Sequence, residues 1–188
     1  MANSAEARAL NALLVCQARQ GDRRAFARLV KRWTPRLTGH AYRLLGDSDQ
    51  ARDAVQDSWV EIVKGLPKLT HDLAFPVWAL RIVTRRCARI IKTAQSTRKL
   101  HADIALDQAG LPQTSEPEFI DAKAVRAAME RLPAPQRAAI GLFYLEDFTV
   151  AEIAAALDVP AGTVKTRLLH ARKALRALLE GDDDVTSG

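Results

Sequence analysis

Basic and hydrogen-bonding side chains recur at helical spacing near the end of the sequence. The apolar pattern there predicts a short helix from about Val150 to Leu157, a tight turn, and a second helix from about Gly162 to Leu179. Thr149 precedes the first helix and has a glutamate three residues after it, which is the spacing of a capping box. This pattern is typical of a helix-turn-helix, whose second helix enters the major groove of DNA.

The second predicted helix has one apolar face and one basic face. No acidic residue lies between Gly162 and Leu179, so the exposed face suits a polyanion. We expect the residues of its N-terminal part to meet base edges; these are Lys165, Thr166, Leu169 and His170. The remaining cations suit DNA phosphates; these are Arg167, Arg172 and Lys173. An ordinary helical hairpin with a solvated basic face is the alternative interpretation.

Carboxylates recur at four-residue intervals in the first half of the chain. Asp49, Asp53, Asp57 and Glu61 form one acidic stripe on a helix predicted from about Ser48 to Lys64. Like charges at this spacing repel, and a basic partner would turn the repulsion into attraction. A solvated face is the alternative. A metal or hydrolase site is not supported, because no neighbouring histidine or nucleophile motif accompanies the carboxylates.

A basic amphipathic helix is predicted from about Phe75 to Thr93. Arg81, Arg85 and Arg89 lie four residues apart on it, beside the aromatic Trp78. The short polar connection before it carries Lys68 and His71, and cationic groups beside π-faces can hold unstacked bases. Membrane-surface or calmodulin-target helices share this pattern. We favour nucleic acid, because the apolar face of this helix is needed to close a small core.

The elements that must position these residues are all helical. Apolar spacing predicts an all-α chain of two small helical domains joined by a flexible linker, the second containing the helix-turn-helix. The predicted parts are residues 1–94, a polar linker at 95–117, residues 118–180 and an acidic tail at 181–188. Within the first part, one helix is predicted to end at Pro35 and another to run from Leu37 to Leu45.

The composition favours a polyanionic partner and suggests neither a cofactor nor a metal. The chain of 188 residues has 28 Lys and Arg against 22 Asp and Glu. Cys16 and Cys87 lack CxxC spacing and read as small core residues, with no redox role assigned. The N-terminus lacks the pattern of a signal peptide, and no uncharged stretch approaches the ~20 residues that span a bilayer. A cytoplasmic protein is therefore expected.

Residues 10–94 and 122–179 resemble the extracytoplasmic-function (ECF) sigma factors, which belong to the sigma-70 family of bacterial RNA polymerase. The segment LPAPQRAAIGLFYLEDFTVAEIAAALDVPAGTVKTRLLHARKALRALL is similar to the family's promoter-binding domain. QARQGDRRAFARLVKRW resembles its opening helix, ARDAVQDSWVEIV its polymerase-binding helix and FPVWALRI the start of its promoter-melting helix. Three positions depart from the family pattern, namely Arg85, Arg89 and His170.

The resemblance implies a non-catalytic specificity subunit that binds core polymerase, recognises minus-thirty-five and minus-ten elements and stabilises melted DNA. The acidic stripe, with Asp53, Gln56 and Asp57 on motif positions, would dock on the clamp helices of the beta-prime subunit. The loop 66–74 and the basic helix would hold the minus-ten element, and the beta flap and an anti-sigma factor are further implied partners. A helix-turn-helix repressor or activator acting without polymerase remains the alternative. A nucleic-acid enzyme would need a catalytic constellation, and none is predicted.

Overall fold

The structure is a computed structural model that describes residues 2–101 and 120–180. Within these residues it contains eight α-helices and no β-strand, in two helical domains, which confirms the predicted fold class. Two 3₁₀ turns, Leu66–Lys68 and Asp72–Ala74, connect the third helix to the fourth. The helices are α1 (Ala2–Arg19), α2 (Arg23–Leu45), α3 (Ser48–Gly65), α4 (Phe75–His101), α5 (Ile120–Glu130), α6 (Ala134–Tyr144), α7 (Val150–Leu157) and α8 (Ala161–Glu180).

Helices α1 to α4 enclose a core with aromatic rings at its centre. Trp33 of α2 and Phe75 of α4 are fully buried and meet edge to face, with ring centroids 5.6 Å apart. Asp22 and Asp47 begin α2 and α3, because each carboxylate accepts two backbone N–H groups of the first turn. Gly46 ends α2 with φ +76°, a conformation that glycine adopts without strain.

The prediction that a helix ends at Pro35 is wrong. Helix α2 runs unbroken through this proline, which lies inside it. A proline in a helix interior removes one backbone hydrogen bond at a cost of about 3 kcal/mol. Leu29, Trp33 and Leu37 all lie on the buried face of α2, and burying three large side chains outweighs this cost. The single helix keeps these side chains in one continuous row.

Two other boundaries differ from the sequence predictions. Helix α4 continues past Thr93 to His101, so the first residues of the predicted linker are helical. The segment 95–101 is polar but contains neither glycine nor proline, and polarity alone does not end a helix. The segment resembling one opening helix is instead split at Gly21, whose φ is +92°. Most of the predicted linker and the acidic tail, at 102–119 and 181–188, lie outside the described residues, so the domain limits stay a prediction.

Helices α5 to α8 form a second small bundle. Leu142 of α6, Ile153 of α7 and Val164 of α8 are fully buried in it. Helix α8 packs across α5, α6 and α7, so one helix organises the whole C-terminal half. The two halves also contact each other, with α2 against α6 and α4 against α7. Both proposed nucleic-acid elements, α4 and the helix-turn-helix, therefore lie at or near this contact.

Candidate DNA and polymerase interfaces

The helix-turn-helix forms where the sequence predicts it. Thr149 Oγ1 accepts the backbone N–H of Glu152 at 3.2 Å, and Glu152 Oε2 accepts the backbone N–H of Thr149 at 2.8 Å. Asp158 ends α7 in the left-handed conformation, with φ +56°. Asp tolerates this conformation better than most residues, which allows the tight turn into α8.

Helix α8 separates an apolar face from a polar one as predicted. Val164, Leu168 and Ala171 are buried against the rest of the C-terminal half. The four residues predicted to meet base edges are all exposed; they are Lys165, Thr166, Leu169 and His170. Leu169 is 63% exposed, so most of this large apolar side chain contacts no other residue of the described chain.

The predicted phosphate contacts on α8 have different surroundings. Arg172 lies over the Phe143 ring at 5.2 Å, and its Nε donates to the Tyr144 hydroxyl at 3.1 Å. The aromatic pair thus fixes the direction of this guanidinium. Arg167 is partly buried, and burial lowers its pKa. Lys173 is exposed.

A cleft of about 530 Å³ opens between the end of α3, the following loop and α4. A Cβ at Gly65 would lie 2.7 Å from Trp78 Cζ2, so the missing side chain lets the indole lie against the end of α3. Four of the predicted minus-ten residues line this cleft; they are Lys68, Trp78, Arg81 and Arg85. His71 and Arg89 lie outside the cleft lining, His71 on the exposed loop and Arg89 further along α4.

The predicted acidic stripe occupies an exposed face of α3. Asp49 forms an ion pair with Arg52 at 2.7 Å, one turn along the same helix. Asp53 and Gln56 are exposed and have no ion pair or hydrogen bond within the described part of the chain. Val60, which the charge pattern of the sequence does not identify, is 55% exposed and lies one helical turn after Gln56. The face therefore combines carboxylates with an apolar contact point.

The acidic and basic surfaces adjoin each other along α3 and α4. Asp57 pairs with Arg86, and Glu61 lies 3.6 Å from Arg89. The spacing of charges in the sequence predicts two separate surfaces and does not single out Arg86. Charge complementarity between neighbouring helices was the pattern that could have identified these pairs.

Two arginines of α4 hold a carboxylate from the other half of the molecule. Arg81 Nη2 lies 2.5 Å from Asp158 Oδ1, and Arg85 Nε lies 3.1 Å from Asp158 Oδ2. These hydrogen bonds, Arg81 first, lower the pKa of Asp158. The turn of the helix-turn-helix is thus attached to α4 by a charged contact that the sequence analysis did not predict.

A second polar contact joins the halves at α2. Burial raises the pKa of Glu146, while Arg36, at 3.7 Å, and Arg43 oppose this shift. Arg137 Nε donates to the backbone carbonyl of Arg43 at 2.9 Å. A Cβ at Gly141 would lie 2.6 Å from Arg43 Cδ, so α6 approaches the Arg43 side chain closely, and any larger residue at this position would require that side chain to move.

Two buried titratable groups lie in the N-terminal core. His40 Nε2 is 2.9 Å from Thr84 Oγ1, and burial followed by repulsion from Arg43 lowers the pKa of His40 to about 3. Burial raises the pKa of Cys87 to about 12, so its thiol stays protonated. Cys16 lies partly buried, apart from Cys87, and both are free thiols.

In residues 2–101 and 120–180, no group of three or more His, Cys, Asp or Glu side chains could hold a metal ion. No helix in this described part of the chain is both long and apolar enough to cross a membrane.

Each half of the chain matches a known protein family. Residues 29–97 match the family described as Sigma-70 region 2, and residues 122–175 match the family described as Sigma-70, region 4. The ECF RNA polymerase sigma factor SigM of Mycobacterium tuberculosis strain Erdman is 32% identical over 169 residues, covering 90% of this chain and 84% of SigM. The chain belongs to the ECF sigma factors.

Solved structures of related sigma factors share the fold. The sigma factor RpoE of Bartonella quintana, in complex with the anti-sigma factor NepR, matches with a TM-score of 0.68 and 22% identity, covering 82% of this chain and 96% of RpoE. CnrH, in complex with the cytosolic domain of CnrY, matches with a TM-score of 0.63 and 25% identity, covering 92% and 99%. This ECF sigma factor directs promoter-specific initiation of transcription by RNA polymerase.

Proposed function

We propose that this ECF sigma factor divides promoter recognition among three surfaces and makes no chemical bond itself. The acidic stripe of α3 docks on the clamp helices of the polymerase beta-prime subunit. The cleft beside α4 holds the melted minus-ten element, and α8 reads the minus-thirty-five element. The C-terminal half also contacts the beta flap, and the protein works in the cytoplasm with core polymerase.

The cleft beside α4 is the observation that carries the minus-ten role. It places the Trp78 indole next to Lys68 and Arg81, so that a π-face and two cations line one space of about 530 Å³. An unstacked base needs such a face, and the adjoining phosphates need cations. A repressor that binds only duplex DNA has no need of this arrangement. His71, on the exposed loop, and Arg89 would contact DNA outside the cleft.

The α3 surface supports polymerase docking through its charge and its exposure. Asp53, Gln56 and Val60 share one face of the helix and have no other part of the described chain over them. A basic partner helix would meet a carboxylate, an amide and an apolar contact point on one line. Asp57 and Glu61 would contribute while still paired with arginines of α4.

The α8 surface supports duplex reading because its exposed residues differ in chemistry along the helix. Lys165 and His170 can hydrogen-bond to base edges, and Leu169 can contact a thymine methyl group. Arg172, directed by Tyr144, suits a phosphate. The fixed guanidinium would set the register of α8 on the duplex.

An anti-sigma factor is proposed to control this sigma factor. The support is the family membership of the chain and the solved complex of RpoE with NepR, which has a similar fold.

Open-complex formation tests the minus-ten role. We expect Lys68→Ala to leave co-purification with core polymerase unchanged but to reduce permanganate-reactive promoter DNA and run-off transcript together. Lys31→Ala is the matched control, because Lys31 is an exposed lysine of α2 outside the cleft. Equal opening by both variants would remove Lys68 from the mechanism. If the wild-type chain with core polymerase opens no promoter of a genomic library, the proposed division of roles fails.

A further inference from the structure

The contact between Asp158 and the two arginines of α4 has the chemistry of a phosphate contact. One carboxylate oxygen faces Arg81 at 2.5 Å and the other faces Arg85 at 3.1 Å, so both oxygens are held by guanidinium groups. Guanidinium groups bind carboxylate and phosphate oxygens in the same geometry. The carboxylate of Asp158 therefore stands where a backbone phosphate of DNA could stand.

We propose that the α7–α8 turn docks on α4 through Asp158 as a substitute for DNA phosphate, holding the protein in a closed form. This proposal rests on the minus-ten role proposed above for Arg81 and Arg85. In the closed form the protein's own carboxylate occupies the two arginines, and melted DNA must displace it. The occupant is a segment of the same chain, and the competing ligand is the phosphate backbone of single-stranded DNA.

Other contacts between the halves also fit a docked state. Glu146 reaches Arg36 of α2, and Arg137 donates to the backbone carbonyl of Arg43. Gly141 lets α6 approach the Arg43 side chain so closely that a larger residue would require Arg43 to move. Each exposed ion pair is weak alone, but contacts within one chain act at high effective concentration.

The closed form affects the two DNA surfaces unequally. Lys165, Leu169 and His170 of α8 are exposed, so the face that reads duplex DNA stays accessible. Arg81 and Arg85 line the minus-ten cleft and are occupied. The closed protein should therefore bind single-stranded DNA more weakly than a form in which Arg81 and Arg85 are free. Its binding of duplex DNA should not be weakened to the same extent.

The substitution Asp158→Asn tests the contact in the full-length chain. Asparagine tolerates the left-handed conformation of this residue and has the same shape, so the helix-turn-helix is preserved. Binding of a short fluorescent single-stranded DNA of random sequence should tighten by about threefold to tenfold, because a weak exposed ion pair no longer competes. The matched control is Glu130→Gln, which makes the same change in net charge at an exposed residue of the C-terminal half.

A second variant tests closure without changing Asp158. The side chain of Gly141→Lys would overlap the Arg43 side chain and bring a second cation beside its guanidinium, so the halves should separate. Small-angle X-ray scattering should then give a larger radius of gyration than for the wild-type chain, together with tighter binding of the single-stranded DNA. An Asp158→Asn variant that binds no more tightly than wild type, or no more tightly than Glu130→Gln, would overturn the proposal. So would a Gly141→Lys variant that has a larger radius of gyration but binds the single-stranded DNA no more tightly than wild type.

These readouts separate the proposal from the function on which it rests. If Gly141→Lys expands the molecule but no variant binds single-stranded DNA, the closed form exists and the minus-ten role of Arg81 and Arg85 is wrong. The competition with DNA phosphate is then wrong as well. If the wild-type chain opens promoters and Lys68→Ala reduces the opening, but Asp158→Asn changes nothing, the minus-ten role of the cleft stands and the docking proposal is wrong.

Discussion

His40 is kept neutral at the centre of the N-terminal half, and this makes stability depend on pH. Its pKa is about 3 in the folded chain, whereas an unfolded histidine titrates near pH 6.5. The unfolded chain therefore binds the proton first, so the contribution of His40 is complete above about pH 6.5 and declines as the pH falls toward 3. At about pH 5 the expected loss is about 2 kcal/mol.

Urea unfolding at neutral pH and near pH 5 checks this expectation. The variant His40→Gln cannot titrate, so its free energy of unfolding should fall by about 2 kcal/mol less between the two pH values than that of the wild type. A difference near zero would mean that the buried imidazole accepts a proton without cost.

The residues of α8 should separate into those that select sequence and those that add affinity. Replacing Lys165 or His170 by Ala should change minus-thirty-five preference by about 1–3 kcal/mol if the residue contacts a base edge. Arg172→Ala should weaken all sequences alike and reduce the salt dependence of binding. Binding titrations on randomised duplexes measure both effects, and an unchanged preference in both base-facing variants would contradict the assignment.

At the scale of the element, α3 offers a direct test of polymerase docking. Asp53 is the best position in the stripe, because it is exposed and its reversal breaks no ion pair in the described part of the chain. We expect Asp53→Lys to weaken core polymerase binding by about tenfold or more at moderate salt, through repulsion from a basic partner. Affinity measured by titration with labelled core polymerase would show this change.

Glu6→Lys is the control for Asp53→Lys, because it reverses an exposed charge on α1. Equal affinities for the two variants, both shown to be helical by circular dichroism, would leave the stripe as a solvated face. A loss confined to Asp53→Lys would link docking to α3.

Helix α2 contains a position where stability can be gained. Pro35 lies on the exposed side of the helix and removes one backbone hydrogen bond. Pro35→Ala should raise the free energy of unfolding by about 1–2 kcal/mol. The restored backbone hydrogen bond should stabilise the helix by more than is lost through the greater conformational entropy of the unfolded chain. Denaturant titration checks the change, and a destabilised variant would show that the proline is required for the path of α2.

The elements were predictable where local chemistry decides them. Thr149 with Glu152 defines the start of α7, and the apolar spacing of α8 defines its buried face. Predictions of helix ends from local sequence were wrong at Pro35 and at Thr93. In the first case burial of Trp33 and its neighbours outweighed a local penalty, and in the second a polar sequence without a helix-breaking residue was mistaken for a linker.

At the scale of the whole molecule, the contacts between the two halves could not be predicted from the sequence. Periodicity identifies which face of a helix is buried, but not which of several basic faces receives a given carboxylate. Asp158 and Glu146 belong to neither the acidic stripe nor any other charge pattern that the sequence predicts to be functional. Their partners, Arg81 and Arg36, lie 77 and 110 residues away in sequence and meet them only after folding.

The rate at which the buried thiol of Cys87 reacts with a thiol reagent should report the rate at which the N-terminal half unfolds. Because the Cys87 side chain is buried and its pKa is raised, it offers no thiolate that could attack a thiol reagent, whereas Cys16 is partly accessible. A native sample should react quickly at one cysteine and then slowly at the second, at the rate at which the N-terminal half opens. Timing the second reaction with and without core polymerase would report how long the bound sigma factor stays folded.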